Sequence, residues 1–404
     1  MSHFHPADLQ GLSRLAVDGV LGTTSLVEEV HYAIGRVSGP SLPSKDGRTR
    51  GITGLVYRSI HGITGLVGQT TDLAFRQIVP RLPQAPSTPQ RDRALAALNG
   101  VLGDHLEATG NPLALKMSLR HDRQALTLDP ERLDAQLGLR SPRVAIFVHG
   151  LCMSDHHWTP ATDAGERMDL PRALAENAGY LPLHLKYNSG RHISANGKDL
   201  AVQLEALVQN WPSPVEELVL IGHSMGGLVA RSACHYGQIA GHAWVDRTRH
   251  LVTMASPHQG ARLERIGNLV DRTLALTPFS APFTRLGRVR SAGITDLRHG
   301  TLLDEDWQHR DRFADAHGER RGSRLPPHLQ SHALAAVLGD EAESWSARLL
   351  GDGLVTVDSA LDLPENRAPS FDLDRVGYDL ICGVGHLDLL THPAACHIVL
   401  RWLQ

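Results

Sequence analysis

The feature that most restricts how this chain can fold is Gly222-His-Ser-Met-Gly226, a G-x-S-x-G motif set between two regular segments. The apolar run Leu218-Val-Leu-Ile221 precedes it, and Gly227-Leu-Val-Ala-Arg-Ser-Ala233, a stretch without helix breakers after its glycine, follows. That order predicts strand, sharp turn, helix, with Ser224 on the bend. The two glycines let the chain turn without Cβ clashes, and the hydroxyl comes out at a helix N-terminus, where the helix dipole favours developing negative charge. The neighbouring segments agree with it. From Val144 onward, apolar runs alternate with helical stretches: Val144 to Val148, Leu183 to Tyr187, Leu218 to Ile221, Leu251 to Met254, His332 to Leu338 and Tyr378 to Cys382. The alternation predicts a mostly parallel sheet with helices on both faces. Leu113, Leu115, Met117 and Leu119 alternate up to a polar turn, followed by Leu126 and Leu128, which predicts a leading antiparallel hairpin at the sheet edge.

A serine on such a turn reacts only if a base takes its proton and an acid orients the base, and on this strand-turn-helix arrangement the chain order is Ser, then Asp or Glu, then His. Downstream of Ser224, His386 in Gly383-Val-Gly-His-Leu-Asp388 follows the last apolar run, with His332 and His392 as alternatives. For the acid, Asp352 lies between two glycines in Gly351-Asp-Gly-Leu-Val355, and Asp340 and Asp358 stay open. The strand Val144 to Val148 leads into His149-Gly150-Leu151. The backbone N–H groups of Leu151 and Met225 are therefore the expected oxyanion donors. Cys152 has neither base nor turn of its own, so it is not expected to be a nucleophile. Asp155-His156-His157 lacks partners at helical ligand spacing, and adjacent pairs arise by chance among 24 histidines, so no metal site and no cofactor are expected.

Residues 1–79 are rich in glycine, threonine and β-branched residues at helical spacing, with Leu26, Val30, Ala33 and Ile34 on one face before a break at Gly39 to Ser44. Gly51-Ile-Thr-Gly-Leu-Val56 recurs as Gly62-Ile-Thr-Gly-Leu-Val67, an eleven-residue step that returns Ile52, Leu55, Val56, Ile63, Leu66 and Val67 to one helical stripe. This N-terminal helical extension is expected to pack on itself or on the catalytic domain, with a peripheral membrane contact and a dimer contact as the other readings. Pro80, Pro83, Pro86 and Pro89 mark a linker over 80–91. The catalytic domain then occupies 92–404, with a cap insertion at about 260–330, where proline, arginine and scattered apolar pairs break the rhythm. Forty basic against forty-three acidic residues give a net charge of −3, which does not favour a nucleic-acid partner. Four separated cysteines, no basic-then-apolar leader and no apolar run of membrane length make a cytoplasmic protein the expectation.

Val148-His-Gly-Leu151, Gly222-His-Ser-Met-Gly-Gly227, Ser256-Pro-His-Gln-Gly260, Gly351-Asp-Gly-Leu-Val355 and Gly385-His-Leu-Asp388 together resemble bacterial lipases and esterases of the α/β-hydrolase fold. The likeness includes the branch grouped with glycosylphosphatidylinositol-inositol deacylases, and it spans about Val144 to Gln404. It implies a triad of Ser224, Asp352 and His386, an ester or lipid-like small-molecule substrate, and, in some relatives, a calcium ion held through the position of Asp388. A local salt bridge is the other reading of Asp388. The motifs imply carboxylic ester hydrolysis, with acyl transfer to an alcohol or thiol by the same triad, or a non-catalytic lipid-binding scaffold, as alternatives.

Overall fold

The structure is a computed structural model, and it describes residues 5–38, 49, 51–82, 87–137, 141–160, 166–261, 290–309, 323, 325–339, 351–363 and 376–404. The chain divides into two compact units: Met1–Arg91 with Leu106–Ala114, and Asp92–His105 with Leu115–Gln404.

The smaller unit contains helices α1 (Pro6–Ser38) and α2 (Gly51–Ile78), which pack against each other. Gly68 is small because it must be: a Cβ there would lie 2.9 Å from a Val17 methyl. Asp72 on α2 accepts from Arg14 and Gln10 on α1 at 2.6 and 2.8 Å, which pins the register of the pair. The repeat forms one continuous helix, yet Leu55, Val56, Ile63, Leu66 and Val67 are all exposed, while Tyr57 is buried. Of the expected linker prolines, Pro80 lies in a 3-10 turn, Val79–Arg81, and Pro89 is the first residue of helix α3 (Pro89–Ala108), where its missing N–H costs nothing. Residues 83–86, like the break at 39–44, lie outside the described residues.

The larger unit is built on an eight-stranded sheet of order β2-β1-β4-β3-β5-β6-β7-β8. Its strands are β1 (Ser118–His121), β2 (Gln124–Ala125), β3 (Arg143–Val148), β4 (Leu181–Lys186), β5 (Glu217–His223), β6 (Thr248–Met254), β7 (Gln330–Val337) and β8 (Val376–Cys382). From β4 to β8 every pairing is parallel, and β1 pairs antiparallel with both β2 and β4. The six strands expected from the apolar runs are all present, within a few residues at their ends.

The hairpin is shorter than its sequence pattern. Leu113 and Leu115 fall before β1, because their backbone N–H groups are taken by the side chains of Asn111 and Asn99 at 3.0 and 2.9 Å and so cannot join a strand ladder. Helices α4 (Pro130–Leu137), α5 (Leu170–Ala178), α6 (Ile193–Gln209), α7 (Met225–Ala240), α8 (Ala292–His299) and α9 (Pro393–Leu403) accompany the strands. One core joins Phe147, Val219, Ile221, Val252 and Leu334 from the sheet to Leu174 of α5 and Val399 of α9. In the expected cap, residues 262–289 and 310–322 lie outside the described residues, and 290–309 contain α8 and a short helix, Asp304–Trp307.

Candidate active site

The C-terminal ends of parallel strands are where loops can gather reactive groups on one sheet edge. β5 ends at His223, and α7 starts at Met225, leaving Ser224 alone as the hinge. Its backbone takes φ 54 and ψ −125, a region that strains any residue with a Cβ. The surroundings enforce it: Ser224 N–H donates to Met254 O at 2.9 Å, and α7 packs so tightly under β3 that a Cβ on Gly226 would sit 2.1 Å from Val148 O. A Cβ on Gly222 would likewise lie 2.4 Å from Gly227 N. These two clashes explain why the motif needs glycine at both positions.

His386 follows β8, and Asp352 sits where the chain returns to the end of β7, Leu338 N–H donating to Gly351 O at 3.0 Å. His386 Nδ1 and Asp352 Oδ2 are 2.7 Å apart, both side chains almost wholly buried. The carboxylate is aimed by its own turn: Oδ1 accepts from the N–H groups of Leu354 and Val355 at 3.0 and 2.8 Å, while Gly351 and Gly353 take positive φ on either side. Main-chain bonding tightens the pair further, with His386 N–H donating to Asp352 O at 3.1 Å. Of the alternatives, Asp340 lies outside the described residues, and Asp358 is on the short helix Val357–Ala360. His332 lies in β7 beside His250, and His392 caps α9.

The turn after β3 lies against the serine: a Cβ on Gly150 would be 3.0 Å from Ser224 Cβ. Leu151 N–H is in that turn, and Met225 N–H is the first of α7, where a helix leaves its N–H groups without intrahelical partners. Among the described residues neither donates to a protein acceptor. Cys152 takes φ 60, and burial pushes its thiol up to about 12, which leaves it protonated and inert at neutral pH.

His223, the variable residue of the G-x-S-x-G motif, carries a role that pattern-matching overlooks. Fully buried, it contacts the carbonyl of His386 through Nε2 at 2.9 Å, and the two rings lie 4.7 Å apart. Burial, then the neighbouring His386, holds its pKa well below the usual histidine value. It is therefore neutral, and Nε2–H donates to the carbonyl. The Ser256 to Gly260 turn after β6 is tied in as well: Arg231 of α7 donates to His258 Nδ1 at 2.8 Å, and His258 N–H donates to Ser359 O at 3.0 Å.

Two other acidic sites are arranged differently from the His386–Asp352 pair. Asp155 and His156 meet Asp92 in a buried group, but its positive charge comes from Arg120, 2.7 Å from Asp155, and Lys186, 2.9 Å from Asp92. Two cationic side chains already serve the two carboxylates there. Asp388 accepts from Arg167 at 2.7 Å, a local salt bridge.

Residues 141–332 match the PGAP1-like alpha/beta domain family. The PGAP1-like match covers just under half of the chain, from β3 into β7, and so takes in the Leu151 turn and Ser224 but stops before Asp352 and His386. No curated protein matches the chain. Similar solved structures include the mature Bacillus licheniformis lipase BlEst2, at 17% identity over 66% of this chain and 95% of that one, with a TM-score of 0.42. The propeptide form of that lipase matches at 17% identity and TM-score 0.42, over 71% of this chain and 53% of that chain. A Pyrobaculum calidifontis esterase matches at 15% identity over 65% and 75%, with a TM-score of 0.37. The fold, with its mostly parallel sheet, flanking helices and strand-turn-helix serine, is that of the α/β-hydrolases.

Proposed function

We propose that the chain is a serine hydrolase that cleaves carboxylic esters, an esterase or lipase working through an acyl-enzyme. The observation that carries this reading is the buried contact between His386 Nδ1 and Asp352 Oδ2, on the sheet edge that also presents Ser224 from its strained turn. With Asp352 accepting a hydrogen bond from Nδ1–H, the imidazole keeps a basic Nε2 and stays in the tautomer a general base requires. Ser224 Oγ attacks the acyl carbon, and its proton passes to His386. The tetrahedral oxyanion is met by Leu151 and Met225 N–H, and the proton then goes to the departing alcohol. Water, deprotonated by the same imidazole, releases the carboxylic acid and regenerates the serine. An uncharged ester or lipid-like small molecule suits a site where the residue beside His386 is the neutral His223.

The test is hydrolysis of p-nitrophenyl esters from acetate to palmitate by the wild-type chain, with Ser224→Ala as control. Turnover that depends on Ser224 supports the reading, and its chain-length optimum separates an esterase from a lipase. Absence of turnover at every length in a folded sample would sink it and bring acyl transfer forward.

A further inference from the structure

The turn that carries Leu151 N–H is held by a loop that none of the motifs marks. After β4 ends at Lys186, the chain continues through Tyr187, Asn188, Ser189 and Gly190. Tyr187 is buried, stacks on the His149 ring with centroids 4.4 Å apart, and donates its hydroxyl to His149 O at 2.7 Å. Ser189 Oγ accepts from Cys152 N–H at 3.1 Å. His149 and Cys152 flank Gly150-Leu151, so one loop grips the turn on both sides of the N–H assigned to the oxyanion. Such a grip has a purpose, because Cys152 sits at φ 60, a conformation that persists only where its surroundings over-determine it.

The gripping loop is itself anchored. Asn188 donates through Nδ2 to Gly103 O at 2.8 Å and accepts from Gly190 N–H at 3.1 Å, while Asn196 donates to Asn188 O at 3.0 Å. α3 is shaped around these parts. A Cβ on Gly100 would lie 2.2 Å from Cys152 Sγ, one on Gly103 1.8 Å from Asn188 Oδ1, and one on Gly190 2.1 Å from Asn99 O. On the far side, α8 joins through Gly293 N–H, which donates to Gly190 O at 3.0 Å. Cys152 N–H is thus taken by Ser189, whereas Leu151 N–H has no protein acceptor among the described residues.

We propose that Tyr187 and Ser189 are positioning residues for ester hydrolysis, fixing the direction of Leu151 N–H toward the oxyanion that develops in the transition state. This rests on the reading of Ser224 as nucleophile and of Leu151 as an oxyanion donor. Neither side chain touches substrate. Each acts through the turn, so its loss weakens transition-state binding and spares ground-state binding.

The experiment compares wild type, Tyr187→Phe, Ser189→Ala and Ser189→Thr, with active sites counted by fluorophosphonate titration. Two readouts are taken: kcat and KM on p-nitrophenyl butyrate, and inhibition by an alkyl trifluoromethyl ketone beside the matching methyl ketone. The fluorinated ketone adds to serine as a tetrahedral oxyanion, and the methyl ketone reports ordinary binding. Removing an oxyanion donor outright costs about 100- to 1000-fold in kcat, so misdirecting one is expected to lower kcat per active site about 10- to 100-fold. KM should stay within about twofold, the pattern of an interaction made only in the transition state. The trifluoromethyl ketone should weaken by the same factor as kcat falls, the methyl ketone should not, and Ser189→Thr, which keeps the hydroxyl, should recover most of both. Unchanged kcat and unchanged trifluoromethyl ketone affinity in Tyr187→Phe and Ser189→Ala overturn the inference while leaving Ser224-dependent hydrolysis intact. Less folded protein with normal kcat per active site overturns it too, by reducing the loop to a structural brace. Turnover that survives Ser224→Ala is a separate failure, that of the hydrolase reading itself.

Discussion

Along β5 of the larger unit, Leu218, Val219, Leu220 and Ile221 are completely buried, whereas on α2 of the smaller unit Leu55, Ile63, Leu66 and Val67 each expose more than half of their surface. Both segments are apolar and regularly patterned. The difference lies in what surrounds them: β5 has β3 and β6 as hydrogen-bonded neighbours and helices to cover its faces, while α2 buries Tyr57 and seats Gly68 against Val17, with its repeat stripe pointing elsewhere. Periodicity decides which residues share a face, and says nothing of whether the fold supplies a cover. The residues proposed for the active site, Ser224, Asp352 and His386, all belong to the covered unit, where burial strengthens hydrogen bonds and fixes geometry.

That contrast can be attacked at several points, beginning with the chemistry. Asp352→Asn keeps the shape of the loop but lets the imidazole adopt the wrong tautomer, and in a working triad such a change lowers kcat about 10⁴-fold. Steady-state kinetics on a p-nitrophenyl ester would measure it. A loss below tenfold would place the orienting acid elsewhere.

Core truncation comes next in size. Leu334→Ala removes a completely buried side chain from the sheet core and is expected to cost about 2–5 kcal/mol, read as a lowered unfolding midpoint in denaturant. A cost near zero would show that the core around β7 is not close-packed.

Acid should act on the covered unit through histidines that the fold desolvates. Burial holds His149 and His184 down to about 4, below the ordinary value near 6.5 that the unfolded chain regains. Between those values the unfolded state binds more protons, so stability falls as pH falls from about 6.5 toward 4. Melting temperature followed from pH 7 to pH 4 should decline, and less steeply in His184→Gln. Identical slopes in the two proteins would mean that His184 does not stay neutral in the fold.

The smallest effect belongs to the exposed stripe. Leu66→Ser on α2 should shift stability by no more than about 0.5 kcal/mol, as for most surface changes. A large destabilisation would mean that the stripe is covered in solution, and the contrast between the two units would disappear.

Much of this arrangement could be read before any coordinates. The six main strands were legible because parallel strands buried on both faces leave continuous apolar runs, and Ser224 because its flanking glycines are dictated by backbone clashes at Gly222 and Gly226. Asp352 and His386 could be proposed from chain order, and the structure brings their side chains to 2.7 Å. The hairpin's start was not legible, because Asn99 and Asn111 cap N–H groups from positions distant in sequence or hidden in a turn. Nor were His223, Tyr187 and Ser189. Their contacts reach 163, 38 and 37 positions along the chain, and the one available signal was that the latter two directly follow the C-terminal end of a parallel strand.

The central claim is that Ser224 is an activated nucleophile, and covalent labelling tests it most directly. Incubation of the folded chain with a fluorophosphonate, followed by peptide mass spectrometry, should find a single adduct, on the peptide that carries Ser224, and none in Ser224→Ala. A folded chain that resists the reagent, or one that labels equally after Ser224→Ala, would contradict the account.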